Sequence, residues 1–142
     1  MGAHLYANFK LPRKVFAGAD MVLMPSMFEP GGIVALEAMR YGAVPIVRCT
    51  GGLSDIVKDF DPKTKKGNGF SFQGDTSVGL LIAITRAVET YHNGKLWQKL
   101  MKNCMSEDFS WDHSMKEYVK LYKKVMELRK RQLHENPNPA FV

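Results

Sequence analysis

The sequence alternates. Short apolar runs, each stopped by glycine or proline, are separated by stretches in which apolar residues recur at helical spacing. Met21-Val22-Leu23-Met24 ends at Pro25-Ser26, Val44-Pro45-Ile46-Val47 ends before Thr50-Gly51-Gly52, and Gly69-Phe70-Ser71-Phe72 precedes Gly74. Such unbroken apolar runs fit strands buried on both faces, whereas a half-exposed strand would alternate. Pro45 predicts the beginning of its strand rather than the middle. Between the runs, helices are predicted over Leu11–Ala19, with Pro12 in the first turn, over a segment opening at Gly31-Gly32 and closing at Gly42, and over Leu53–Val57. Three more follow, over Val78–Tyr91, Leu96–Met105 and Trp111–Arg131, the last with Tyr118, Leu121, Tyr122, Val125 and Leu128 on one stripe. Helix and strand in strict turn imply an α/β fold, a parallel sheet flanked by helices. About three strands make a narrow sheet for a doubly wound fold, which ordinarily has more. Residues 1–131 are expected to form one partial domain, and 132–142, with Pro137 and Pro139, a frayed tail.

Composition narrows the function classes. With 45% apolar and 24% charged residues the chain is an ordinary globular one, without an apolar stretch long enough to span a bilayer and without the pattern of a signal peptide at Met1–His4. Cys49 and Cys104 have no metal-ligand or redox spacing, so buried or half-buried thiols in a reducing, cytoplasmic compartment are expected. The net charge of +6 favours phosphate-bearing ligands in general. The late lysines and arginines fit the solvated face of a helix, and no nucleic-acid-binding pattern interleaves with them. Asp59–Asn68 reads as a mobile polar loop. Asp59 and Asp61 have the spacing of a metal-ligand pair there, but lie far from the densest motif and read as solvated.

That motif is Pro25-Ser-Met-Phe-Glu29-Pro-Gly31-Gly32-Ile-Val-Ala-Leu-Glu37. A strand ends, a glycine-bearing loop follows, and a helix starts. Open α/β sheets bind ligands at the carboxyl ends of their strands, where this loop falls. Free N–H groups at a helix start attract anionic or hydroxyl-rich ligands, and glycines let a ligand approach the backbone. Glu29 could reach sugar hydroxyls, and Glu37, in the second helical turn, could accept from a diol. Spacing alone equally allows Glu37 as a surface carboxylate and Glu29 as a partner of the helix dipole.

The order of motifs adds a resemblance. The spacing of Glu29 and Glu37 is the E-x7-E element of many retaining glycosyltransferases. The segment FAGADMVLMPSMFEPGGIVALEAMRYGAVPIVRCTGGLSDIV, then NGFSF, then DFSWDHSMKEYVKLYKKV resembles the glycogen and starch synthases over roughly Leu11 to Leu128. The resemblance implies the second half of a Rossmann-like, nucleotide-sugar-binding domain, the C-terminal domain of a GT-B glycosyltransferase. It implies Glu29 as the catalytic-centre residue, near the donor glucose. Gly31, Gly32 and Ile33 would hold the sugar hydroxyls and distal phosphate, Glu37 the ribose, and Thr50, Gly51 and Gly52 would line the donor pocket. Tyr41 and the Pro25-Ser26 turn would wall the cleft, and the aromatic stripe from Trp111 to Tyr122 would be core or domain interface. The implied reaction moves glucose from ADP-glucose or UDP-glucose to the non-reducing end of an α-1,4-glucan with retention, without metal or other cofactor.

Gly31-Gly32 stands where many relatives have Cys-Gly, and the presence of Glu37 also departs from many bacterial and plant members, so both nucleotides stay open. Arg13 and Lys14 do not substitute for the basic pair that the family carries upstream of the matching segment, and the isolated chain is expected to be inactive. The alternatives are another E-x7-E glycosyltransferase, or a non-catalytic module that associates with itself through an open sheet edge. Phe109-Ser110-Trp111 and Met39–Gly42 favour the glucan synthases over the first of these.

Overall fold

The computed structural model describes Gly2 and residues 11–135, so of the expected tail at 132–142 only 132–135 are described, and they are helical rather than frayed. The chain divides into two units, Met1–Glu107 and Asp108–Val142. The first holds α1 (Leu11–Gly18), β1 (Met21–Met24), α2 (Ile33–Arg40), β2 (Val44–Arg48), α3 (Gly51–Ile56), β3 (Phe70–Phe72), α4 (Ser77–His92) and α5 (Gly94–Ser106). The strands form a parallel sheet in the order β1-β2-β3, with Met21 opposite Val44 and Ile46 opposite Phe70. This is the predicted α/β arrangement, and each predicted strand lies within a residue of its place.

The central strand is buried from Val44 to Val47, as an apolar run without alternation requires. Pro45 is its second residue, near the start, where a missing N–H is tolerated. The core joins Met39 of α2, Val44, Ile46 and Val47 of β2, Leu53 of α3, Phe70 of β3, and Trp97 and Leu100 of α5. Helix α5 packs against both α2 and α4. Side chains cap the later helices. Thr76 Oγ1 accepts from the N–H of Gly79 at 3.2 Å, and Asn93 Oδ1 accepts from the N–H of Leu96 at 3.3 Å. Among the described residues no helix is long and apolar enough to cross a membrane.

In the segment Asp59–Asn68 both aspartates reach solvent, as expected, but the segment is tied down more than a loose polar loop would be. Its ends are tied by bridges between Asp59 and Gly69 and between Asp61 and Lys66. Asp59 accepts from the backbone N–H of Ser71 at 2.9 Å and holds Arg86 bidentately, at 3.1 and 2.8 Å. The Lys63 N–H and the Thr64 hydroxyl hold the Asp61 carboxyl below its usual range. Asn68, 1% exposed, accepts from the N–H of Lys58 and donates to Ile56 O and Glu107 Oε1. Polar side chains that bond the local backbone, together with Phe60, 1% exposed and edge-on to Phe70 in the core, hold the segment in place.

The second unit contains α6 (Trp111–Glu135), which runs past the predicted end at Arg131. Ser110 Oγ accepts from the N–H of His113 at its start. Within this unit the predicted stripe is present but exposed. Trp111 is 77% accessible, and its ring lies 6.3 Å from that of Tyr118, which lies 6.4 Å from that of Tyr122. The stripe is therefore not the core of its own unit.

Candidate functional site

The carboxyl ends of the three parallel strands release three loops, and these build the site. The loop after β1 carries Pro25 to Gly32. Its last turn is closed by Glu29, whose Oε1 accepts from the N–H of Gly32 at 3.0 Å. Glu29 thus does what a carboxylate at a helix start does best, meeting an orphan N–H and the positive end of α2. Its Oε2 takes no hydrogen bond among the described residues. Gly32 adopts φ 69° as the residue before α2, a left-handed conformation that glycine reaches without strain.

The loop after β2 packs directly on this turn. The N–H of Gly52 donates to the carbonyl of Glu29 at 2.9 Å. A Cβ on Gly51 would collide with that carbonyl, and one on Gly52 would sit 2.7 Å from the carbonyl carbon and oxygen of Gly31. Gly51, at φ 45°, and Gly52 are therefore needed to bring two backbones together, and α3 starts at Gly51 rather than at the predicted Leu53. The starts of α2 and α3 are in this way brought side by side, with the Gly32, Gly52 and Leu53 N–H groups bonded within the protein and the positive ends of both helices at one edge of the sheet.

The predicted site residues separate by environment. Gly32 is buried, and its Cβ position lies 3.0 Å from Ile56 and 3.1 Å from Leu53. Gly31 is exposed, and among the described residues nothing beyond its chain neighbours lies nearer its Cβ position than Ile33 at 3.9 Å, so Gly31 leaves open space over the turn. Ile33 is 67% exposed, and Glu37 lies exposed in the second turn of α2. Thr50 points its hydroxyl toward Met27 O at 3.5 Å. Tyr41 does not belong to this group. It caps the C-terminal end of α2, which is eight residues long, or about 12 Å. A helix that starts at the carboxyl edge of the sheet ends at the other edge, so Tyr41 does not wall this cleft.

Sequence reasoning missed the third loop and the residue that joins all three. A cleft of about 350 Å³ is lined by Pro25 and Met27 after β1, Arg48 at the end of β2, and Phe72, Asp75, Thr76, Ser77 and Leu80 around β3 and the start of α4. Arg48 Nε donates to Gly74 O at 2.7 Å and Nη1 to Met27 O at 3.2 Å. Its signal in the sequence was a lone charge closing an otherwise apolar strand, directly before the Thr-Gly-Gly turn. Met27 and Phe28, 76% and 79% exposed, also stand unburied beside Glu29.

A parallel sheet with a glycine-bearing helix start at its carboxyl edge is the frame of many nucleotide-sugar enzymes. The sequence match is more specific. Residues 4–103 match the glycosyl transferases group 1 family, and the chain belongs to that family. Glycogen synthases are among its relatives. The chain is 49% identical over 126 residues to glycogen synthase of Kosmotoga olearia, covering 89% of this chain and 26% of the relative. It is 52% identical over 122 residues to glycogen synthase of Fervidobacterium nodosum, covering 86% and 25%. In three dimensions it is similar to the catalytic domain of starch synthase IV from Arabidopsis thaliana bound to ADP and acarbose. There the TM-score is 0.76 with 40% identity, over 84% of this chain and 25% of that one. The chain spans about a quarter of the length of these relatives, and its fold is that of part of a GT-B glycosyltransferase.

Proposed function

We propose that this chain provides the donor-binding face of a glucan synthase that transfers glucose from ADP-glucose or UDP-glucose to the non-reducing end of an α-1,4-glucan with retention. The observation that carries this reading is the seating of Gly51-Gly52 on the Glu29–Gly32 turn, which sets two helix starts side by side at the carboxyl edge of the sheet. Diphosphate and sugar hydroxyls are the groups that the positive ends of two adjacent helices favour. In this reading Gly31 and Ile33 face the sugar, Glu29 stands at the catalytic centre, Glu37 holds the ribose, and Thr50 lines the pocket. The ADP named with the starch synthase structure supports ADP-glucose as the donor to try first.

The exposed stripe of Trp111, Tyr118 and Tyr122 supports a further part of the reading, that α6 serves as an interface, either to another domain or between copies of this chain. Amide resonance mapping tests the donor-site reading. On addition of ADP, then ADP-glucose, the amides of Glu29–Ile33 and Thr50–Gly52 should shift. Shifts confined to other segments would contradict the assignment. The same spectra at two protein concentrations decide self-association, which should broaden α6 signals at the higher one and is excluded by unchanged line widths.

A further inference from the structure

We infer that Arg48 is a positioning residue that holds the donor-side turn by bridging the loops on either side of its own strand. The consequence for catalysis rests on the donor-site reading above, but the geometry does not. Arg48 ends the central strand, where it is paired with Phe72, and is half-buried. Its guanidinium donates sideways in two directions, to Met27 O in the loop after β1 and to Gly74 O in the loop after β3. Gly74 takes φ 72° in the turn that presents its carbonyl. Met27 is two residues before Glu29, so the bond to Met27 O fixes the entry to the turn whose exit is fixed by Glu29 on Gly32 and by Gly52 on Glu29.

Both partners are neutral carbonyls, and among the described residues Arg48 makes no ion pair, the two present being Arg86 with Asp59 and Lys120 with Glu117. By bridging two carbonyls beside the cleft, Arg48 aligns the loops on either side of its strand. The planar fork explains the residue type. Arginine presents donors in fixed, divergent directions, whereas a lysine ammonium is a single point on a flexible stem. Lysine at this position is therefore not a conservative replacement.

The test needs no nucleotide, so its failure is distinguishable from failure of the donor-site reading. Amide hydrogen exchange is measured by NMR on the unsubstituted chain and on Arg48→Lys and Arg48→Met. In both variants exchange at Gly32 and Gly52 should accelerate roughly ten-fold or more, while core amides such as Val47 and Leu100 keep their protection, as local opening requires. Unchanged exchange at Gly32 and Gly52, recovery in the lysine variant, or uniform acceleration throughout the chain would each overturn the inference. If a variant does not fold, the Arg48 Nε–H resonance of the unsubstituted chain decides. A slowly exchanging signal supports the bridge, and a freely exchanging one removes it.

Discussion

Two adjacent loops use their glycines for opposite purposes. Gly51 and Gly52 give up their side chains so that one backbone can lie on another, whereas among the described residues nothing crowds the place of a Gly31 side chain. The difference predicts two outcomes from the same kind of substitution. Gly51→Ala must relieve a clash with the Glu29 carbonyl from a left-handed backbone, and should lower stability by about 1–3 kcal/mol. Gly31→Ala should melt within about 0.5 kcal/mol of the unsubstituted chain, because its added methyl meets only ordinary contact. Thermal melting of the two variants checks this. Equal destabilisation would mean that the loops do not pack as described. The sequence pattern pointed to all of these glycines as ligand-facing. It could not separate them, because whether a missing Cβ makes room for a ligand or for another strand of backbone is decided by a loop distant in sequence.

At the scale of elements, the strands were legible because glycine or proline marks the ends of short apolar runs, and β2, buried from Val44 to Val47, has the two buried faces expected, whereas β1 departs from that expectation with Leu23 45% exposed. What periodicity could not show was order arising from side-chain-to-backbone bonds. Asn68 is the plainest case, a polar residue in a polar stretch that is 1% exposed and joined to Lys58, Ile56 and Glu107. The Cys104 thiol of α5 donates to the carbonyl of Asn68 at 3.0 Å, and burial pushes its pKa from 9.0 up to about 12. The folded chain therefore keeps this proton where the unfolded chain loses it. The contribution is whole below about pH 9 and falls as pH rises toward 12, by up to about 1.4 kcal/mol per pH unit. Denaturant unfolding at pH 8 and pH 10.5 should show the stability gap between the unsubstituted chain and Cys104→Ala narrowing at the higher pH. A gap independent of pH would mean that the thiol is hydrated.

Across the molecule, one edge of the sheet gathers what the sequence scatters from Pro25 to Leu80, and Arg48 joins its three loops. The Glu29–Glu37 spacing and the Thr-Gly-Gly turn were readable in advance because they lie within single loop-and-helix segments. Arg48, Met27 and Asp75 were not, because their proximity depends on the parallel register of three strands. The family match covers the same segments, and the account stands or falls on whether the surface they form recognises a nucleotide. Calorimetric titration of the chain with ADP, UDP and their glucose conjugates measures that most directly. The account predicts binding of one nucleotide, abolished or greatly weakened by Glu37→Ala, a substitution on an exposed face of α2 that should leave the melting temperature in place. Absence of binding at millimolar ligand, or binding indifferent to Glu37→Ala, would contradict it.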